Sequence, residues 1–401
     1  MLRTMSAESM PASEDIVHRH RYDNGVRALW SPGGDTRMLA EAIARAHRDE
    51  PAALAIVWFS RDRLDAHTLA DDLSRALAGG TPGLAVCGSS TCGEITPGGL
   101  QASGSLAVLL PTARFDVSVS LIERIDTAGM RQIAHQASHA RRAFLDGAHR
   151  GSADTFALTL IDGLTFAEEA TTAALQHGLD EIPLVGGSAG DDLGFERTEL
   201  LFDGSVHERA ALLVLIHTRL PFRLFTDNNF VPTPTRLVVT RADPDRRLVH
   251  ELDGRPAVDA YARAIGCAVT QLDALKFAAH PLILRIGGQH YCRAIQRAEP
   301  DGSLTFYCAI DDGLVLTVAR SEGMVRASRS MIEAIEADLG PVSFLIGFDC
   351  IYRKLDAVHR GVTDRMEALF REKNCVGCNT YGEQFGSMHV NQTFTGVAFG
   401  H

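Results

Sequence analysis

The stretch Gly88-Ser89-Ser90-Thr91-Cys92-Gly93-Glu94 returns as Gly377-Cys378-Asn379-Thr380-Tyr381-Gly382-Glu383, sharing G-x-x-T-x-G-E in register. A shorter relative, Gly186-Gly187-Ser188-Ala189-Gly190-Asp191, lies between them. Starts at 88, 187 and 377 give intervals of 99 and 190, so the second interval is close to two periods. A degenerate fourth copy is expected near Ile286-Gly287-Gly288-Gln289-His290. Self-similarity of this kind means that one supersecondary unit is used repeatedly, and it takes precedence over local patterns in setting the fold.

The flanks repeat with the loops. Apolar Ala53–Phe59, helical Ala66–Leu77 and apolar Leu84–Val86 precede the first loop, and Ser105–Leu110 follows it. The second unit reads Phe156–Ile161, Ala167–His177, Pro183–Val185, loop, Ala211–Ile216. The third reads Ser343–Phe348, Val362–Phe370, Cys375–Val376, loop, Thr393–Phe399. Short apolar, β-branched runs are strands, and i, i+3, i+4 patterns are helices. Leu69, Leu73, Ala76 and Leu77, for example, share one helical face. Strands alternating with helices pair in parallel under a helical cover. The strand after each loop follows too closely for a crossover and is expected to be antiparallel. The fold class is therefore α/β: two similar α/β halves with mixed sheets and repeated glycine-loop units. The divisions expected are a tail over 1–29, an N-terminal domain over 30–225 and a C-terminal domain over 226–401. The connection falls in Arg219–Thr240, which holds Pro221, Pro232, Pro234 and Asn228-Asn229. A helix over Pro256–Ile265 opens the second half.

Lys plus Arg is 39 against 50 Asp plus Glu, a net charge of −11, so the basic footprint of a nucleic-acid binder is missing. No apolar run approaches the roughly 20 residues that span a bilayer. Met1–Asp15 has no apolar segment of the export type, so a cytoplasmic location with reduced thiols is expected. Among the eight cysteines only Cys375 and Cys378 have C-x-x-C spacing. Zinc would need a second such pair, and redox chemistry would need a helix start after a strand. Buried thiols, with neither disulfide nor zinc, are expected instead.

The loops carry no P-loop lysine, and Gly186-Gly187-Ser188-Ala189-Gly190, although it fits G-x-S-x-G, runs on into another strand-like segment rather than a helix. Neither nucleotide binding nor a Ser188, Ser89 or Cys378 nucleophile is expected, and the chain is not read as an enzyme. The glycines instead turn tight corners, with positive φ expected at Gly93 and Gly382. Glu94, Asp191, Asp192 and Glu383 cap those turns, or alternatively hold a ligand amine or serve as bases. Of 16 histidines, His280 and His389 stand out because apolar residues border them. A neutral imidazole so placed is either a haem or metal donor or a hydrogen-bonded core histidine. Asn391, two residues beyond His389, shares its side if the segment is extended.

Taken together, Leu184-Val185-Gly186-Gly187-Ser188-Ala189-Gly190-Asp191-Asp192, Glu251-Leu252-Asp253-Gly254-Arg255-Pro256-Ala257, Ala279-His280-Pro281-Leu282 and Thr380-Tyr381-Gly382-Glu383 resemble the FIST domains of bacterial sensory proteins. The resemblance runs from about Trp30 to the C-terminus, as an N-terminal FIST domain followed by a C-terminal one. The ending Tyr381-Gly382-Glu383-Gln384-Phe385, with Met388-His389-Val390-Asn391-Gln392-Thr393-Phe394-Thr395-Gly396, is most similar to the NosP branch. That branch implies a haem b sensor of nitric oxide that regulates a partner histidine kinase, and through it cyclic-di-GMP signalling and biofilm behaviour. On this resemblance His389 is the axial ligand of the haem iron, with His280, Asn391 and Tyr381 as further cofactor-binding residues. The alternative within the family is a haem-free module for small ligands such as amino acids. No nucleic acid or membrane partner is implied, and a homo-oligomer is compatible with it.

Overall fold

A computed structural model describes residues 16–78, 83–147, 151–286 and 288–401. The repeat is present three times. In the first unit the fully buried strand Ala52–Phe59 runs parallel to Ala85–Ser90, with helix Ala66–Leu77 between them. Asp65 starts that helix by accepting the Thr68 amide, and Leu69 and Leu73 turn into the core. The second unit pairs Thr155–Ile161 with Leu184–Ser188 through helix Glu168–Leu179. The third pairs Phe344–Cys350 with Cys375–Thr380 through helices Ile351–His359 and Thr363–Glu372. Antiparallel returns Ser105–Pro111, Ala211–Thr218 and Phe394–Phe399 complete the mixed sheets, as the loop lengths require. The N-terminal half thus holds two glycine-loop units and the C-terminal half the third.

Gly88, Gly186 and Gly377 occupy matching places on the parallel strands. A Cβ there would stand 2.0, 2.1 and 1.8 Å from the carbonyl oxygens of Val57, Thr159 and Gly347. These glycines let two backbones approach, which no other residue allows. Beyond each loop the chain makes a short hairpin that leaves its own unit. Glu94–Thr96 with Gly99–Gln101 joins the third-unit strand Cys375–Thr380. Glu383–Phe385 with Met388–Val390 joins the second-unit strand Leu184–Ser188. Leu200–Phe202 with Ser205–His207 joins the first-unit strand Ala85–Ser90. The three units are therefore locked in a ring by exchanged hairpins.

The inner faces of the three sheets share one core, in which Trp58 meets Phe348 edge-on at 6.0 Å between centroids and Phe156 meets Phe399 at 5.9 Å. The outer faces are covered by helices through Leu39, Ile43 and Leu69, then Ile133, Ala137 and Leu175, then Ile335, Met366 and Phe370. Among the described residues, no helix is long and apolar enough to cross a membrane.

An eight-stranded sheet is inserted into the third unit and accounts for the longer second interval. Leu282–Ile286 and Gln289–Arg293 are an antiparallel hairpin of that sheet, so the region expected as a fourth copy has a different structure; Gly287 itself lies outside the described residues. The expected connection Arg219–Thr240 also differs, because it carries strand Phe222–Asp227 and most of strand Phe230–Asp243. Pro234 falls where the register against Val315–Ser321 slips between Pro232 and Arg236, and Pro232 pairs with Ala319, whose amide donates away to Pro281. The boundary expected at 225/226 falls inside Phe222–Asp227. Of the expected tail, His18–Arg21 and the start of Arg27–Ser31 are strands of the first sheet, while residues 1–15 lie outside the described residues. The helix expected to begin at Pro256 runs over Ala257–Ile265 with Pro256 as its cap. Cys375 and Cys378 are buried, free thiols within one strand.

Candidate functional site

The three glycine loops converge through a cyclic set of backbone hydrogen bonds. Ser90, Ser188 and Asn379 amides donate to the carbonyls of Glu199, Gly382 and Gly93 at 2.8, 2.7 and 2.8 Å. In return the amides of Gly190, Tyr381 and Cys92 donate to the carbonyls of Ser90, Ser188 and Asn379 at 3.2, 3.1 and 2.9 Å. Two buried carboxyls lie at matching positions beside this junction. Glu94 accepts from Thr91 and Ser60, and Glu383 from Thr380 and Thr393. Burial pushes Glu94 up to about 7 and Glu383 up to about 8, because a carboxylate there gives up hydration that hydroxyls only partly replace. Asp191 does cap its turn, accepting the amides of Phe195, Glu196 and Arg197.

A second, more polar cluster is buried where the third-unit hairpin packs on the second unit. His389 sits on the edge strand Met388–Val390 and is buried, 4% exposed. Its Nδ1 lies 3.2 Å from Gln384 Nε2, which also donates to Ser188 Oγ at 2.8 Å. Burial lowers His389 to about 4, so the imidazole is neutral at physiological pH. Charged groups stand nearby: Glu169, Arg247 and Arg293 act on it electrostatically. Arg247, almost fully buried, binds Glu168 at 2.6 Å and Glu169 more closely, and donates to the Tyr307 carbonyl. Both carboxylates come from the first turn of helix Glu168–Leu179, where the helix dipole favours them.

Asn391 is 1% exposed, yet neither its Oδ1 nor its Nδ2 has a partner among the described residues. Gln384 Oε1 has none either. Whichever way the Gln384 amide is turned, one of its ends is left over. Buried polar groups are nearly always paired, so the three orphaned atoms of Gln384 and Asn391 call for a partner outside the protein's own atoms, a water or a ligand.

His389 and Asn391 share a side as the extended segment requires: a Cβ added to Gly382 would be 2.4 Å from His389 Cε1 and 2.9 Å from Asn391 Nδ2. Gly382 is therefore needed for clearance and not for a positive φ, which it lacks, whereas Gly93 has φ of +122°. Tyr381 is next in sequence but points elsewhere. Its hydroxyl contacts Asp191 and accepts the Leu193 amide at 2.9 Å, and its ring stacks on Phe195 at 5.2 Å. His280 is half-buried among Lys276, Arg360, Asp356 and His359, a different set of neighbours from those of His389. Sequence reasoning missed Glu168, Glu169 and Arg247. They carry no local motif, and Arg247 arrives from the inserted sheet.

Haem is the cofactor implied for this hairpin. A neutral imidazole suits axial ligation. Here, however, Nδ1 faces the Gln384 amide, and a Cβ on Gly382 would be 2.7 Å from Nε2. A cavity of about 240 Å³ adjoins the hairpin, but Met388 and Val390 line it and His389 alternates to the other face. The residues as arranged do not fit haem on His389.

Comparison with known proteins places these features. An uncharacterized protein of Methanocaldococcus jannaschii is 26% identical over 254 residues, which cover 54% of this chain and 49% of that protein. The match thus spans about half the length of this relative. Among solved structures, a cyanuric acid hydrolase from A. caulinodans aligns over 96% of this chain and 99% of its own, with 12% identity and a TM-score of 0.34. The FIST N domain matches residues 53–255 and the FIST C domain residues 257–386, so the chain belongs to the FIST family of sensory modules.

Proposed function

We propose that this chain senses a small polar molecule held between the third-unit hairpin and helix Glu168–Leu179. The observation that carries the reading is the orphaned pair of atoms on buried Asn391, beside Gln384 Oε1 and neutral His389. These groups offer donors and acceptors in a site where water competes little, so each hydrogen bond to a ligand discriminates strongly. The Glu168–Glu169–Arg247 cluster supplies both signs of charge beside His389. Binding would tie the hairpin to the helix and shift the population of hairpin positions, which is the signal a partner protein reads. The family resemblance makes a histidine kinase the expected partner.

A thermal-shift screen of small polar metabolites tests this with the wild type and Asn391→Leu. Compounds that stabilise the wild type and not the variant support it. Compounds that stabilise both alike overturn it. Haem-based nitric-oxide sensing is the second reading, favoured by the neutral state of His389 alone, and it needs the hairpin to move away from the ring. A haemin titration that gives a Soret band in the wild type, lost in His389→Ala, would select that reading.

A further inference from the structure

Among the described residues, the three sheets of the ring have six edges. The first-unit sheet ends in His18–Arg21, alternating His and Arg and exposed at every residue, and in the three-residue Ser205–His207. The third-unit sheet ends in Phe222–Asp227, whose Arg223 is held by Asp338 at 3.0 Å, and in the three-residue Gly99–Gln101. One end of the second-unit sheet is the three-residue Met388–Val390. Charge and short length are the means by which sheet edges avoid pairing with other chains. The sixth edge, Phe115–Ile122, has neither. It is eight residues long, uncharged from Val117 to Ile122, and half-buried at each residue between its ends. Among the described residues no strand pairs with its outer side.

Phe115–Ile122 holds the place in its unit that Arg27–Ser31 holds in the first. Each runs antiparallel to the return strand of its unit and leads into a covering helix. In the first unit a further antiparallel strand, His18–Arg21, lies beyond it. The fold thus accepts another strand at this position, and the second unit supplies none of its own.

The pairing with Ala211–Thr218 fixes which backbone groups stay open. The Arg219 amide donates to the Arg114 carbonyl at 3.1 Å, and bonded and non-bonded pairs alternate along an antiparallel ladder. Ser118 and Ser120 therefore turn their backbone groups inward, while Val117, Val119 and Leu121 turn theirs outward. We propose that this edge pairs with the same edge of a second copy of the chain, antiparallel about Val119, joining two six-stranded sheets into one. In that register Val119 meets its own counterpart, Val117 meets Leu121 and Ser118 meets Ser120. Apolar side chains then lie together on the face of the shared core, and hydroxyls lie together on the helix-covered face. The ends match in charge: Asp116 stands at one end and exposed Arg124 just beyond the other, so Asp116 of each copy comes beside Arg124 of the other. A two-fold contact of this kind uses the same surface on both copies and closes at two. The His389 hairpin is the opposite edge of the same sheet, so pairing leaves both hairpins at the outer ends.

Sedimentation equilibrium of the wild type at rising concentration should pass from one chain to two. Val119→Pro removes an outward N–H and no bond of the chain's own ladder, so it should stay monomeric while keeping the near-UV circular dichroism of the wild type. Ser120→Lys sets two ammonium groups diagonally across the two-fold axis and should weaken the dimer about tenfold at low salt, an effect that fades as salt screens them. Amide exchange followed by NMR should slow at Val117, Val119 and Leu121 when the dimer forms, and be slow at Ser118 and Ser120 in both states. A wild type that is a monomer at every concentration overturns the proposal and leaves the edge to a strand of some other protein. A dimer equally strong in folded Val119→Pro, or in Ser120→Lys at low salt, uses another surface and overturns it too. If Val119→Pro does not fold, Ser120→Lys decides alone.

Discussion

Asn391 carries its two unpartnered polar atoms at a cost to the fold. Two buried polar atoms without partners cost stability, so Asn391→Leu, of similar size, should raise the stability of the ligand-free protein by about 1–3 kcal/mol in urea unfolding. A drop instead would mean that the amide is paired in solution. The loop glycines differ in a way their shared motif hides. Gly93 needs its left-handed backbone, while Gly382 makes room for a ring. Either change to Ala should cost on the order of 1 kcal/mol or more. Only Gly382→Ala should shift the His389 ring resonances in a histidine NMR spectrum. Glu383 sets a pH trend. Its folded value, about 8, lies above the unfolded value near 4.3, so between those pH values the native state holds more protons than the unfolded one. Stability therefore falls as pH rises through that window, and it is fully present only below it. Glu383→Gln, neutral at every pH, should make the decline between about pH 6.5 and 8 shallower. An unchanged slope in urea midpoints measured across that range would reject the assignment.

Among elements, the exchanged hairpins were the least legible from sequence. The long strands and helices follow from apolar periodicity, and Ala52–Phe59, Thr155–Ile161 and their helices lie where the patterns put them. A strand of three residues such as Glu94–Thr96 has no period of its own, and its partner strand Cys375–Thr380 is far along the chain. The inserted sheet was hidden for another reason. Its proline-bearing first strand has the composition of a linker, yet Pro232 still pairs with Ala319 and Pro234 falls in a register slip. Of the site, His389 and Asn391 could be read from their neighbours, whereas Arg247 and helix residues Glu168 and Glu169 depend on tertiary contact. The glycines of the parallel strands are the sharpest test at this scale. Replacing Gly88, Gly186 or Gly377 with Ala drives a Cβ into a neighbouring carbonyl and should cost on the order of 3 kcal/mol, read as a lowered melting temperature.

At the scale of the whole molecule, the ring of hairpins makes the units interdependent. Residues 16–218 expressed alone would lack the third-unit hairpin on Leu184–Ser188 and the aromatic partners Phe348 and Phe399 in the shared core. Near-UV circular dichroism of that piece should lack fixed aromatic signals, and the dye ANS should bind it. A cooperative, ANS-silent fragment would show that the ring is dispensable. The same ring bears on synthesis. A chain made from its N-terminus forms the second-unit sheet early but cannot close it until Glu383–Phe385 and Met388–Val390 have left the ribosome. The first hairpin, Glu94–Thr96 with Gly99–Gln101, waits equally long for Cys375–Thr380. Until then the nascent protein displays open strand edges, which invite aggregation and chaperones. A copy whose translation stops before Met388 keeps those edges open for good, and is expected to be handed to quality control rather than to persist half-folded.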